Sequence, residues 1–193
     1  MELTLDLNKR YSYADYLTWF DDVRRELIDG FIKLFPAPRR VHAEISHNIV
    51  WNLGAVIKKN KGNCKVYDAP FDVRIPKNGE HENKKIFTVV QPDICVVCDP
   101  SKLDDAGCCG APDLIVEILS PSTAKRDLFD KYIIYQESGV KEYWIVHAKD
   151  KAITVFLLQA DGKYDNGQVY EPPGKVPVTI FDGYLIDLED IFS

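Results

Sequence analysis

The chain has 193 residues, 46% hydrophobic and 28% charged, an ordinary composition for one folded domain over residues 1–193. No run of about 18 apolar residues is present to cross a bilayer. The N-terminus, MELTLDLNKRYSYADY, lacks the basic-then-apolar layout of a signal peptide, so the expected compartment is the cytoplasm. A net charge of −6 and a pI of about 5.2 exclude a generic nucleic-acid coat, but leave room for an enzyme whose basic contacts are confined to one groove.

Residues 12–20 (SYADYLTWF) read as a short helix capped by Ser12. RRELIDGFIKLF then reads as a β-hairpin, with Asp29-Gly30 supplying the positive φ angles of a tight turn. A helix follows over about residues 41–59, where Ile45, Ile49, Leu53, Val56 and Ile57 recur at helical spacing. Three candidate strands come next, CKVYDAPFDVRI, FTVVQPDICVVCD and PDLIVEILS, separated by polar loops at 76–86 and 99–111. A helix capped by Ser122 or Thr123 runs to about 138 and stops at Gly139. EYWIVHA is a strand, residues 153–172 and 175–181 form an antiparallel meander with Asp161-Gly162 and Asn166-Gly167 turns, and LEDIF is a closing helical turn. The class is α/β with a mixed sheet.

Five cysteines at irregular spacing fit a reducing compartment. Cys95 and Cys98 form a CxxC, with Cys108 and Cys109 downstream, but strand alternation sends 95 and 98 to opposite faces. A zinc knuckle needs a tight turn between paired ligands, so the expectation is small buried or loop thiols. The basic patches (Arg39 with Arg40, the lysines at 58, 59 and 61, Lys125 with Arg126) read as solvated surface.

The informative residues are carboxylates inside apolar runs, where unpaired burial of an ionised group is costly. In PDLIVEILS, Asp113 and Glu117 share one strand face, about 13 Å apart along the strand. That is too far to hold one ion together. Asp113, at the strand entrance after Pro112, reads as a terminating or turn-capping residue, whereas Glu117 is mid-strand. Asp93 is again a lone carboxylate in an apolar run, QPDICVV. If the two strands are neighbours, Asp93 and Glu117 converge on a hard cation such as Mg²⁺, which keeps several waters and takes one or two carboxylates. On the following helix Leu128, Phe129, Tyr132 and Tyr135 form the apolar stripe, and Lys131 lies at its margin. From there it either runs its stem toward the strand carboxylates or pairs with Asp127 on the surface.

These residues resemble the PD-(D/E)XK nuclease superfamily and, within it, the Uma-type restriction endonuclease branch. The resemblance runs from ELIDG (26–30) through His42, QPDI (91–94) and PDLIVEILSPST (112–123). It continues through the spacing of Asp127, Asp130, Lys131 and Tyr135 into GVKEYWIV (139–146). It implies a restriction-endonuclease-like fold, a mixed central sheet flanked by helices with an antiparallel C-terminal extension. It also implies Asp93 and Glu117 as metal-binding carboxylates, with the Ile118 backbone carbonyl as a further ligand to Mg²⁺ or Mn²⁺. The superfamily lysine two residues beyond the glutamate is replaced here by Leu119, and Lys131 on the next helix matches branch members whose lysine has migrated. His42 falls within the helix stripe and is an auxiliary candidate, while Glu44 points away from it. The implied reaction is metal-dependent phosphodiester hydrolysis in DNA, with a homodimer among the implied partners. A non-catalytic regulatory or structural module on the same fold is the alternative, favoured by the acidic balance and opposed by retention of Asp93, Glu117 and Lys131 together.

Overall fold

Positive φ angles at Asp29 (49°) and Gly30 (86°) close the first hairpin, β1 (Arg25–Ile28) and β2 (Phe31–Leu34). The computed structural model describes residues 5–21, 23–34, 39–119 and 126–193, with side chains from 129 onward in the last segment. Ahead of the hairpin, Ser12 and Asp15 bond reciprocally across the first turn of α1 (Tyr13–Tyr16). That helix is one turn long rather than spanning 12–20. Past Tyr16 only Trp19 packs against the core while Leu17 and Phe20 are exposed, so too little apolar face is buried to sustain a longer helix.

After the hairpin, α2 (Arg40–Asn60) buries Ile45, Ile49, Leu53 and Val56. The single strand expected over 64–75 is two, β3 (Lys65–Asp68) and β4 (Val73–Arg74), broken around Pro70. The next is also two, β5 (Val89–Val90) and β6 (Ile94–Val97), interrupted at Gln91-Pro92-Asp93 because proline cannot donate to a ladder. The loop expected at 99–111 contains a small hairpin, β7 (Leu103–Asp104) and β8 (Gly107–Cys109). Then come β9 (Leu114–Ile118) and α3 (Arg126–Ser138), which stops at Gly139 with φ 88°. The cap expected at Ser122 or Thr123 lies outside the described residues. The chain finishes with β10 (Glu142–His147), β11 (Ala152–Leu157), β12 (Gln168–Tyr170), β13 (Lys175–Val178), β14 (Tyr184–Asp187) and α4 (Leu188–Phe192).

Among the described residues these strands form two six-stranded mixed sheets and a hairpin. One sheet runs β2-β1-β5-β4-β8-β7, the other β12-β11-β10-β9-β6-β3, and β13 pairs only β14. The C-terminal extension is therefore antiparallel, but split between β11–β12 and a separate hairpin. Alternation along the second sheet divides the core. Ile94, Val96, Val116, Ile118, Trp144 and Val146 pack under α2. Cys95, Val97, Ile115 and Tyr143 face the other way, with Tyr135 of α3.

The cysteine expectation needs correction. Cys64 and Cys98 form a disulfide, one step past the Lys65–Val97 pair of the β3–β6 ladder, and Cys95, Cys108 and Cys109 are the free thiols. Cys95 and Cys98 thus separate as alternation requires, one in the core and one bonded across the strand edge.

Gly107 shows how closely the small hairpin is fitted. Its φ is +125°, and a Cβ there would collide with the Asp72 carbonyl oxygen, which already accepts the Cys108 N–H at 2.9 Å. Gly107→Ala should therefore cost more than about 1 kcal/mol and lower the melting temperature by at least about 2–4 °C, read by thermal unfolding. An unchanged midpoint would mean that the hairpin is not held against Asp72 in solution.

Candidate active site

Asp93 lies one step beyond Ile94, and Ile94 pairs with Val116 in the antiparallel β6–β9 ladder. The register therefore brings Asp93, one residue past the end of the ladder, beside Glu117. Asp93 Oδ2 accepts the Ile118 N–H at 2.8 Å and meets His42 Nε2 at 3.0 Å. His42 gets there because it sits in the first turn of α2 on the side that carries Ile45 and Ile49. Ile118 enters the cluster through its amide. Glu44 is exposed and pairs with Arg40, away from the site.

Glu117 is buried. Its Oε1 accepts from Lys131 Nζ at 2.9 Å and from the Tyr135 hydroxyl at 2.7 Å. Lys131 and Tyr135 are four residues apart on α3, hence on one helix face. Lys131 is only 5% exposed, so the surface reading of this residue fails; the Asp127 side chain lies outside the described residues. Phe129, assigned by its spacing to the apolar stripe, is instead 66% exposed. Asp113 does what its position at the strand start implied, accepting the Cys98 N–H at 2.8 Å and pairing with Lys141 at 2.7 Å.

One residue of the cluster escaped the sequence reading. Glu26 of β1, 2% exposed, places Oε1 2.8 Å from Lys131 Nζ and accepts the Gln91 N–H there at 2.7 Å. Its Oε2 is buried without a hydrogen-bond partner among the described residues. Glu26 comes from the first sheet and Glu117 from the second, so Lys131 ties the two sheets together through their carboxylates.

The electrostatics follow from two carboxylates sharing one buried ammonium. Burial pushes the Glu117 carboxyl up to about 7, with Asp93 and Glu26 adding to the rise against the pull of Lys131. For Lys131 burial alone would favour the neutral amine, but Glu117 and Glu26 outweigh it and raise its pKa. Tyr135, buried and beside Glu117, is held well above its ordinary value and so remains a donor. The assembly is a fixed cation flanked by carboxylates one of which exchanges its proton near neutrality, the kind of perturbation expected where chemistry is done.

The match of the family model for the Uma2 putative restriction endonuclease family covers residues 13–189, a span that contains every one of these side chains. The chain belongs to the Uma2 family. A curated relative from Synechocystis sp., "Uncharacterized protein slr1290", is 25% identical over 158 residues, 80% of this chain and 78% of that one. Among solved structures, a putative nuclease belonging to DUF820 from Anabaena variabilis aligns with a TM-score of 0.74 at 20% identity, over 94% of this chain and 97% of that one. At that identity the likeness speaks for the fold, which is the restriction-endonuclease-like α/β arrangement, and the Uma2 membership makes this a nuclease-family chain. Among the described residues no helix is long and apolar enough to cross a membrane.

Proposed function

We propose that this Uma2 chain is a Mg²⁺- or Mn²⁺-dependent endonuclease that hydrolyses phosphodiester bonds in DNA. The observation that carries the reading is the buried Glu26–Lys131–Glu117 triad, one strand away from Asp93. A protein that needed only stability would do as well or better with apolar residues there, since buried ion pairs seldom add to stability.

The donor set fits a hard divalent ion. Asp93 takes both its side-chain hydrogen bonds on Oδ2 and Glu117 both of its own on Oε1. Among the described residues the other oxygen of each, Asp93 Oδ1 and Glu117 Oε2, accepts none. Among those same residues no group of three or more His, Cys, Asp or Glu side chains has ligand spacing. The match is therefore to an ion that keeps most of its waters and takes two carboxylates, as Mg²⁺ does, with the Ile118 carbonyl as a third protein ligand. Bound there, such an ion supplies Lewis acidity and a water of lowered pKa.

The remaining work falls to the chain. Lys131, charged and fixed, orients the attacking water and offsets charge growing on the phosphoryl oxygens. Tyr135 holds Glu117 in one rotamer, and His42 with the Ile118 amide does the same for Asp93. In this reading the compartment is the cytoplasm, and a homodimer presents one site to each DNA strand.

The test is cleavage of supercoiled plasmid and single-stranded DNA with Mg²⁺, Mn²⁺ or EDTA. Wild type should nick or linearise DNA only with metal. Asp93→Asn should reduce the rate by about 10²–10³-fold or more, and Lys163→Ala, in the exposed turn after β11 at the end of the sheet opposite Glu117, should behave as wild type. Folded wild type that cuts neither substrate with either metal would turn the reading toward a non-catalytic module on this fold.

A further inference from the structure

Gln91 stands where the chain crosses from one sheet to the other, between Val90 of β5 and Ile94 of β6, and its side chain is held from two sides. The carboxamide Nε2 donates to Asp72 Oδ1 at 2.9 Å and reaches the Tyr16 hydroxyl at 3.3 Å. Its Oε1 accepts from Arg24 Nε at 3.2 Å, and Arg24 Nη2 also reaches the Gln91 carbonyl at 3.5 Å. Asp72 is itself anchored: the Tyr13 and Tyr16 hydroxyls reach its carboxylate at 3.3 and 3.5 Å, and its carbonyl accepts the Cys108 N–H. One end of this network is therefore rigid.

The other end is the site. The Gln91 backbone N–H is the group that holds Glu26 Oε1, at 2.7 Å, on the oxygen facing Lys131. Two residues on, Asp93 must arrive beside Glu117 to meet the Ile118 amide. Pro92 between them brings no N–H of its own, so Gln91 is the donor that fixes this crossing on its near side.

We propose that Gln91 is a positioning residue, its carboxamide clamped between Asp72 and Arg24 so that its backbone amide sets Glu26 and the crossing that follows delivers Asp93. The proposal rests on the nuclease reading only for its kinetic consequence; the geometry it asserts can be measured without metal or substrate.

The donor and acceptor roles in the clamp can be exchanged. Gln91→Glu sets a carboxylate against Asp72, while Asp72→Asn alone loses the acceptor that faces Nε2 at full strength. In the double variant Asp72→Asn/Gln91→Glu, the asparagine amide donates to the new carboxylate, which still accepts from Arg24. NMR hydrogen exchange should show the residue 91 amide less protected in Gln91→Ala and Gln91→Glu, with protection restored in the double variant.

In steady-state cleavage the single changes should lower kcat by about 10–100-fold with KM nearly constant, as for outer partners of catalytic groups. The double variant should recover most of that loss. If Gln91→Ala does not fold, Arg24→Gln removes one side of the clamp and should reduce protection at the same amide to a smaller degree. A double variant no better than the product of its singles, or a residue 91 amide equally protected in Gln91→Ala, overturns the proposal. A wild type that never cuts overturns the nuclease reading instead, and the exchange measurement still decides the role of Gln91.

Discussion

Lys131→Met should destabilise the protein by about 3–5 kcal/mol at pH 8, the range for removing one partner of a buried charge pair. The substitution keeps the length of the stem and deletes the ammonium, leaving Glu26 and Glu117 facing each other in the interior. The pH dependence gives the effect its signature. In wild type Glu117 titrates at about 7, above its unfolded value. The stability it contributes is therefore complete below about pH 4.3 and is lost as pH rises through 7. Without Lys131 the pull that holds the Glu117 pKa down is gone, so Glu117 keeps its proton to still higher pH in the native state. Each additional proton bound by the native state makes stability fall by a further ~1.4 kcal/mol per pH unit. The gap between variant and wild type should therefore be small at pH 5 and widen steadily to pH 8. Urea unfolding midpoints across that range measure it. A gap that is constant with pH would mean that lost packing, and not the charge, sets the cost.

The strand carboxylates were legible in the sequence because a lone acid in an apolar run is conspicuous, and because Asp93 and Glu117 need only neighbouring strands to converge. Lys131 was harder: helical phase put it at the edge of a stripe, where, taken alone, a surface pair with Asp127 is the commoner outcome. Only the register of α3 over β9, and the arrival of β1, decide in favour of burial. Glu26 could not be found from its surroundings. In RRELIDG it sits among charged neighbours and reads as the solvent face of a hairpin, and its partners Gln91 and Lys131 are remote in sequence. The one signal was that ELIDG lies within the resemblance to the Uma-type branch. The division of strands has the same origin. VVQPDICVV is apolar on both sides of Pro92, so the run reads as continuous until β1 and β4 compete for its first half and β3 and β9 take the second. The Cys64–Cys98 bond depends likewise on a ladder register that spacing alone does not supply.

Glu26 also yields the sharpest test of how the cluster divides its labour. Glu26→Ala removes the acceptor for one main-chain N–H and one ammonium, both buried, and hydrogen bonds to charged groups are worth about 1.5–3 kcal/mol each. A loss of about 3 kcal/mol or more in unfolding free energy is expected, together with a 10–100-fold fall in cleavage rate from a Lys131 that has lost this carboxylate. Glu26→Gln separates these effects, since it keeps one acceptor oxygen and the side-chain volume but removes a negative charge. Because Glu26 is one of the groups raising Glu117, that variant should titrate Glu117 below the value of about 7. The ¹³C shift of the Glu117 side-chain carboxyl, followed through pH in metal-free protein, reports this directly. A Glu117 titration unmoved in Glu26→Gln would mean that the two carboxylates do not sense each other through Lys131. The stability loss in Glu26→Ala would then come from the Gln91 amide alone, and Glu26 would belong to the scaffold and not to the chemistry.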